Sequence, residues 1–176
     1  MKAIETKLKG CFILEPTIFE DSRGYFFEAF SKAKFEELTG AYPDFVQDNQ
    51  SKSSYGVVRG LHQQVGEHAQ AKLVRVLEGK VLDVAVDVRE GSPTYGEHVA
   101  VELSAENNRQ LYIPRGFLHG FAVLSETATF FYKCDNVYNK ASEDGVHPLD
   151  STLAVDWQIP LDQIILSDKD KEARAF

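Results

Sequence analysis

Four polar residues on strand-like segments of this chain could carry chemistry: His62 in VRGLHQQ, and Lys72 in KLVRV, His119 in GFLHGFAV and Tyr132 in TATFFYKC, the last three in line with apolar neighbours. Their side chains suit proton transfer at carbon. An imidazole titrates near about pH 6.5, so His62 can accept a carbon-bound proton close to neutrality. A phenol such as Tyr132 can return a proton as the acid. An ammonium such as Lys72 can stabilise the oxyanion that forms when a proton leaves the carbon next to a ketone. Each residue also has an ordinary structural reading. An isolated core histidine is usually a hydrogen-bonded packing residue, and a lone tyrosine usually packs with its hydroxyl satisfied. Lys72 is harder to explain that way, because long cationic side chains rarely align with a core face without cause.

Strand periodicity says where these groups point. In 72–77, Lys72 shares a face with Val74 and Val76 while Arg75 lies on the other. Tyr132 shares a face with Ala128, Phe130 and Cys134, with Lys133 opposite, and His119 lines up with Phe121 and Val123. A lysine in an apolar stripe is costly unless something stabilises its ammonium. Arg59 and His62 have opposite parity, so both face inward only if Gly60 supports a bulge, which we expect.

The elements that must hold these residues are mostly strands. VRGLHQQ, KLVRVLEGKVLDVAVDVR, EHVAVELS, RQLYIP, GFLHGFAVL and TATFFYKCD are short, rich in β-branched or aromatic residues and bounded by turn residues. Glu78-Gly79-Lys80 is expected to close a hairpin, Gly79 supplying a positive φ. One short helix is expected from Ser31, as N-cap, through Phe35 and Leu38 to Gly40. A second is expected near Ser167, where Asp170 would suit the first turn. Gln47, Asp48 and Asn49 read as a polar turn, and Arg23 and Glu28 in RGYFFE as an exposed surface pair. Many short strands with few helices predict an all-β fold, a β-jelly-roll sandwich with a few short peripheral helices and its ligand cavity on the inward side.

At 176 residues, without repeats or a Gly/Ser linker, the chain is expected to form a single domain over 1–176. Two cysteines, Cys11 and Cys134, are too few for a disulfide framework. No apolar run reaches the length of a bilayer span, and MKAIETKLKGCFILEPTIFE lacks a secretory h-region, so a cytoplasmic location with no membrane partner is expected. The net charge of −8 argues against nucleic-acid binding. It leaves room for a small anionic ligand held by a few converging cations.

Gly60-Leu61-His62-Gln63-Gln64, the Gly79 turn and Pro114-Arg115-Gly116-Phe117-Leu118-His119 together resemble the two cupin motifs. Metal-binding cupins enclose a divalent ion with HxH, a glutamate and a later histidine. Here Gln64 stands in place of the second histidine, and Glu67 and His68 fall in a polar, loop-like stretch, so no metal is expected. Two other classes compete with acid–base catalysis: a metal-dependent cupin enzyme, and a non-catalytic sugar-binding jelly roll. The latter would not need Lys72 and Tyr132 facing inward.

Five blocks, in order, are similar to the dTDP-4-dehydrorhamnose 3,5-epimerase family: FEDSRGYFFEAF (19–30), FVQDNQSKSSYGVVRGLHQQ (45–64), QAKLVRVLEGKVLDVAVDVR (70–89), LYIPRGFLHGFAVLSETATFFYKCD (111–135) and LSDKDKEA (166–173). The resemblance implies a homodimer with exchanged N-terminal strands and no metal or other cofactor. Its substrate would be a dTDP-linked 4-keto-6-deoxy sugar, inverted at C3 and C5 through a C4 enolate. Relatives that invert one centre, or act on another nucleotide deoxy-ketosugar, share almost all of these motifs. Carried over by motif, His62 is the base, Asp170 its orienting carboxylate, Lys72 the enolate stabiliser and Tyr132 the acid. Ligand contacts fall on Arg23, Glu28, Gln47, Asn49, Arg59, His119, Glu143 and Lys169, with Tyr138 near the nucleotide base. Arg23 is expected to reach the neighbouring subunit's site. The chain departs from the family pattern at Val137, where a second aromatic is common, and in Glu172–Phe176.

Overall fold

The alternating segments pair into two antiparallel sheets packed face to face, as a computed structural model of residues 1–176 describes. One sheet has six strands in the order β1 (Lys2–Glu5), β2 (Phe12–Glu15), β10 (Gln110–Ile113), β7 (Lys72–Glu78), β12 (Thr127–Cys134) and β5 (Gln47–Ser54). The other has five: β13 (Glu143–Gly145), β6 (Val58–Gln64), β11 (Phe117–Val123), β8 (Lys80–Asp87) and β9 (His98–Ser104). A separate hairpin, β3 (Phe19–Asp21) with β4 (Gly24–Phe26), pairs with neither sheet. The helices are short and peripheral, α1 (Lys32–Thr39) and α2 (Asp168–Lys171), and none is long and apolar enough to cross a membrane. This is the expected all-β jelly-roll sandwich.

Inward-facing residues of both sheets make the central core: Val74 and Val76 of β7, Val81 and Ala85 of β8, Phe121 and Val123 of β11, Ala128 and Phe130 of β12. The parity assignments for Lys72, His119 and Tyr132 rest on these same stripes, and all three point with them. A second cluster covers the outer face of the five-stranded sheet, where Leu82, Val84 and Val86 meet Leu153, Trp157 and Ile159. Strand β8 is therefore buried on both faces, which explains its nearly unbroken apolar run. Phe35 of α1 packs on Leu73 and Tyr112 against the six-stranded sheet.

Two local expectations need correction, and a third is met in position alone. Glu78-Gly79-Lys80 does not close a hairpin: β7 and β8 do not pair but lie in opposite sheets. Gly79, at φ 77°, turns the corner between them, and a β-carbon there would collide with the Thr127 carbonyl oxygen. Gln47, Asp48 and Asn49 are not a turn but the start of β5, a wholly polar edge strand paired with β12 over its full length. Edge position and missing apolar alternation hid it from periodicity. Ser31 does occupy the N-cap of α1, but its side chain makes no capping hydrogen bond, whereas Gly40 closes the helix in the left-handed conformation at φ 66°.

Strand β6 is the element on which the site depends. It pairs with β11 so that His62 faces His119 and Arg59 faces Phe121, three steps against two. The extra residue is the expected bulge. Gly60 sits there at φ 134°, and a β-carbon would come within 2.6 Å of the Gly120 Cα. The bulge reverses the parity conflict and turns Arg59 and His62 to the same side.

Candidate active site

A cavity of about 510 Å³ opens between the two sheets. Lys72 and Tyr132 line it from the six-stranded sheet; Arg59, His62 and His119 line it from the five-stranded sheet. Imidazole and phenol thus stand on opposite walls. Phe121 and Phe130, stacked at 4.2 Å, supply an apolar floor beside them. The segment 165–170 closes one side and brings in Lys169 and Asp170. It is fixed by backbone bonds, Ile165 N–H to the Gly56 carbonyl at 2.8 Å and Val58 N–H to the Ile165 carbonyl at 3.0 Å.

His62 Nε2 lies 2.5 Å from Asp170 Oδ1. Asp170 is only 3% exposed, and its backbone N–H donates to Ser167 Oγ at 3.1 Å, the cap of α2. Helix-start and carboxylate-partner roles therefore coexist in one residue. Burial alone would raise the Asp170 carboxyl, but the hydrogen bond and charge of His62, with help from Ser167 and Lys169, hold it below its ordinary value. A carboxylate so placed sets the ring orientation and stabilises the imidazolium after proton uptake.

Lys72 Nζ stands 6.0 Å from the Tyr132 ring centroid and makes no ion pair. Burial lowers its ammonium from the usual lysine value, while charges at Cys134 and Asp83 oppose that shift. Burial likewise raises the Tyr132 phenol, so it stays protonated and able to act as an acid. No buried side-chain nitrogen or oxygen lacks a partner in this chain. The Lys72 ammonium and the His62 and His119 Nδ1 atoms bond to no protein group, so they are open to the cavity.

The remaining predicted ligand residues divide into two sets. Gln47, Asn49, Tyr138 and Glu143 do not line the cavity but adjoin it. Glu143 accepts from Lys169 Nζ at 2.7 Å, which holds its carboxyl below the ordinary value, and Asn49 is the register partner of Tyr132. Tyr138 is half-exposed and donates its backbone N–H to Gln47 Oε1 at 3.1 Å. Arg23 and Glu28, by contrast, lie outside this chain's cavity, and they do not pair with each other. Arg23 pairs with Asp21 at 2.6 Å on the projecting hairpin, and Glu28 with Lys34 at 2.8 Å. No group of three or more His, Cys, Asp or Glu side chains gathers anywhere as a metal cage would require. Gln64, in place of the second cupin histidine, is buried and accepts from the Asn139 N–H at 2.9 Å, anchoring the segment that leads to Glu143.

Comparison with known proteins identifies this arrangement. The family model described as dTDP-4-dehydrorhamnose 3,5-epimerase matches residues 5–176. The chain belongs to the dTDP-4-dehydrorhamnose 3,5-epimerase family. A relative of that name from Shigella flexneri is 50% identical over 176 residues, covering 100% of this chain and 96% of the relative. The crystal structure of such an epimerase from Elizabethkingia anophelis superposes with a TM-score of 0.97 at 64% identity, covering 100% of this chain and 96% of that one. A Legionella pneumophila epimerase, crystallised with dTDP-4-keto-L-rhamnose, superposes at 0.94 with 50% identity over 99% of this chain and 92% of that one. The chain is accordingly an isomerase, an epimerase of the deoxysugar-nucleotide class.

Within this epimerase framework, the motifs passed over residues that line the cavity or bond to those that do. Ser51 lines it from β5, and Ser53 accepts from Arg59 Nε at 3.1 Å. Asp83, fully buried, has both carboxylate oxygens 3.0 Å from His119 Nε2. The signal for Asp83 was present: an acid in phase with Val81 and Ala85 on an apolar strand is costly without a partner. Nothing in the polar run of β5 marked its serines.

Proposed function

We propose that this epimerase inverts C3 and C5 of dTDP-4-dehydro-6-deoxy-D-glucose to give dTDP-4-dehydro-L-rhamnose, using its own side chains without metal or cofactor. The C4 ketone acidifies the hydrogens on both neighbouring carbons through the same resonance. His62, oriented by Asp170, removes the proton; its unpartnered Nδ1 is the accepting nitrogen. The electron pair moves onto the C4 oxygen, where the Lys72 ammonium stabilises the enolate. Tyr132 then delivers a proton from the opposite face, and inversion results. A positioned acid–base pair contributes about a hundred- to ten-thousand-fold, and preorganised oxyanion stabilisation about 3–4 kcal/mol more. Arg59, His119 and Lys169 hold the sugar and diphosphate. Gln47, Asn49, Tyr138 and Glu143 extend the site toward the nucleotide.

The observation that carries this reading is the placement of the His62–Asp170 pair on one wall and Tyr132 with Lys72 on the other. A non-catalytic sugar-binding role would leave that opposition without purpose. We propose further that the single domain works in the cytoplasm as a homodimer, Arg23 and Glu28 serving the partner's cavity. The hairpin supports this, because Phe19, Tyr25 and Phe26 are 61–69% exposed on an element paired with neither sheet. Incubation with the dTDP-4-keto-6-deoxy sugar in deuterated water, followed by NMR, tests the reading. Deuterium at both C3 and C5 with formation of the L-sugar is expected; label at one carbon would make it a single-centre epimerase, and none would refute the assignment.

A further inference from the structure

Asp83 is one of two fully buried carboxylates that the mechanism above does not use; the other, Asp87, pairs with Arg89. Asp83 lies mid-strand in β8 between Leu82 and Val84, fully inaccessible, and has neither lysine nor arginine as a partner. Its hydrogen-bond partner is His119 Nε2, 3.0 Å from each carboxylate oxygen. A carboxylate held this way in a core is expensive, and such groups concentrate where they tune chemistry. Asp83 does not line the cavity and so touches no substrate. We propose that Asp83 is a positioning residue for epimerisation, pinning His119 with Nδ1 turned to the cavity and serving as the counter-charge behind Lys72; this rests on the reading of the cavity given above.

Two observations support it. With both carboxylate oxygens on Nε2, that nitrogen carries the ring hydrogen, and Nδ1, open to the cavity, presents a lone pair. Burial lowers the His119 imidazole against the opposing pull of Asp83, which keeps it neutral. His119 therefore accepts a hydrogen bond from a sugar hydroxyl, and Lys72 is left as the donor to the ketone oxygen. Next comes the charge balance at Lys72. The titratable groups around it are Cys134 and Tyr132 from β12, Asp83 from β8, His119 from β11, Arg59 and His62 from β6, and Lys169 and Asp170 from the closing segment. Burial pushes the Cys134 thiol up to about 11 and raises the Tyr132 phenol, so both are neutral near pH 7. Asp170 is committed to His62. Asp83, in phase with the inward-facing Val81 and Ala85 of β8 and bonded to the cavity residue His119, is the acidic group left to balance Lys72.

The test combines nitrogen-15 NMR of the histidine rings with pH profiles of kcat and KM for wild type and Asp83→Asn. Asparagine keeps the size and an acceptor oxygen but removes the charge. In wild type, His119 should be neutral with the hydrogen on Nε2. In Asp83→Asn, the basic limb of the kcat profile should move down by about one pH unit, since loss of a nearby anion lowers an ammonium's pKa. Between the acid limb set by the base and the basic limb, kcat should stay within about threefold of wild type. An unmoved basic limb, or a wild-type His119 carrying its hydrogen on Nδ1, would overturn the proposal. The wild-type spectrum decides by itself should Asp83→Asn not fold. Absence of deuterium exchange by wild type fells the cavity reading and this proposal together; normal exchange with an unmoved limb fells this proposal alone.

Discussion

His62 and Tyr132 line opposite walls of the cavity, so in the proposed mechanism their removal should leave different residual chemistry. His62→Asn keeps size and polarity but removes the base; epimerisation and solvent exchange at C3 and C5 should both fall by about a thousandfold or more. Tyr132→Phe removes only the returning acid. Abstraction by His62 continues, so deuterium should still enter the sugar with its configuration largely retained. NMR of the sugar after incubation in deuterated water reads both outcomes, and full turnover by His62→Asn would discard the assignment. Tyr132 could be found because motif and parity agreed on it, and His62 because its motif stood beside a parity conflict that a bulge at Gly60 resolves. Asp83 escaped notice because the role proposed for it depends on His119, 36 positions away in sequence, reaching it across the β8–β11 pairing.

At the level of elements, two features of the strands make the site possible and can be tested separately. The bulge in β6 needs Gly60, whose φ of 134° and contact with Gly120 exclude a side chain. Gly60→Ala should cost about 2–4 kcal/mol in denaturant unfolding and cut activity more than stability alone explains, because His62 and Arg59 lose their shared side. A Gly60→Ala protein with wild-type stability would show that the bulge tolerates a side chain. The end of β8 carries a different dependence. Asp87 is fully buried; burial favours its neutral form, but hydrogen bonds from Arg89, Ser92 and Thr94 prevail and hold the carboxyl well below the usual range. A depressed folded-state pKa gives stability that is present above the unfolded value, about 3.9, and is lost as pH falls below it. Asp87→Asn should therefore cost about 2–3 kcal/mol at neutral pH and flatten the acid limb of stability between about pH 4 and 2. Urea unfolding as a function of pH measures it; an unchanged acid limb would remove Asp87 as its source.

For the whole molecule, the projecting hairpin separates Arg23 from its own cavity, and the proposed dimer makes a prediction that a monomer cannot meet. Arg23→Ala should lower kcat/KM while leaving the fold intact. Co-refolding Arg23→Ala with His62→Asn should then restore activity, since in mixed dimers the intact arginine of one chain serves the intact base of the other. With random pairing about a quarter of wild-type activity should return, half the dimers being mixed and each having one complete site. No recovery would mean that Arg23 acts within its own chain or not at all. The segment Glu172–Phe176, which departs from the family pattern, is tied down: Arg174 pairs with Asp144 at 3.1 Å and Phe176 packs on Tyr95 with ring centroids 5.5 Å apart.

Strands with a buried face were legible from residue order, because side chains alternate by simple geometry and apolar burial rewards the alternation. That was enough for β6 to β12, for the inward direction of Lys72, His119 and Tyr132, and for the bulge at Gly60, which a parity conflict revealed. Where no apolar stripe exists, as in polar β5, residue order carried no such mark. Nor could it tell that the chain after Gly79 crosses to the other sheet, because a turn glycine serves a hairpin and a corner equally well. Only tertiary packing decides which elements meet, and that packing put Asp170 of α2 on His62, Asp83 on His119, and the phenol opposite the imidazole.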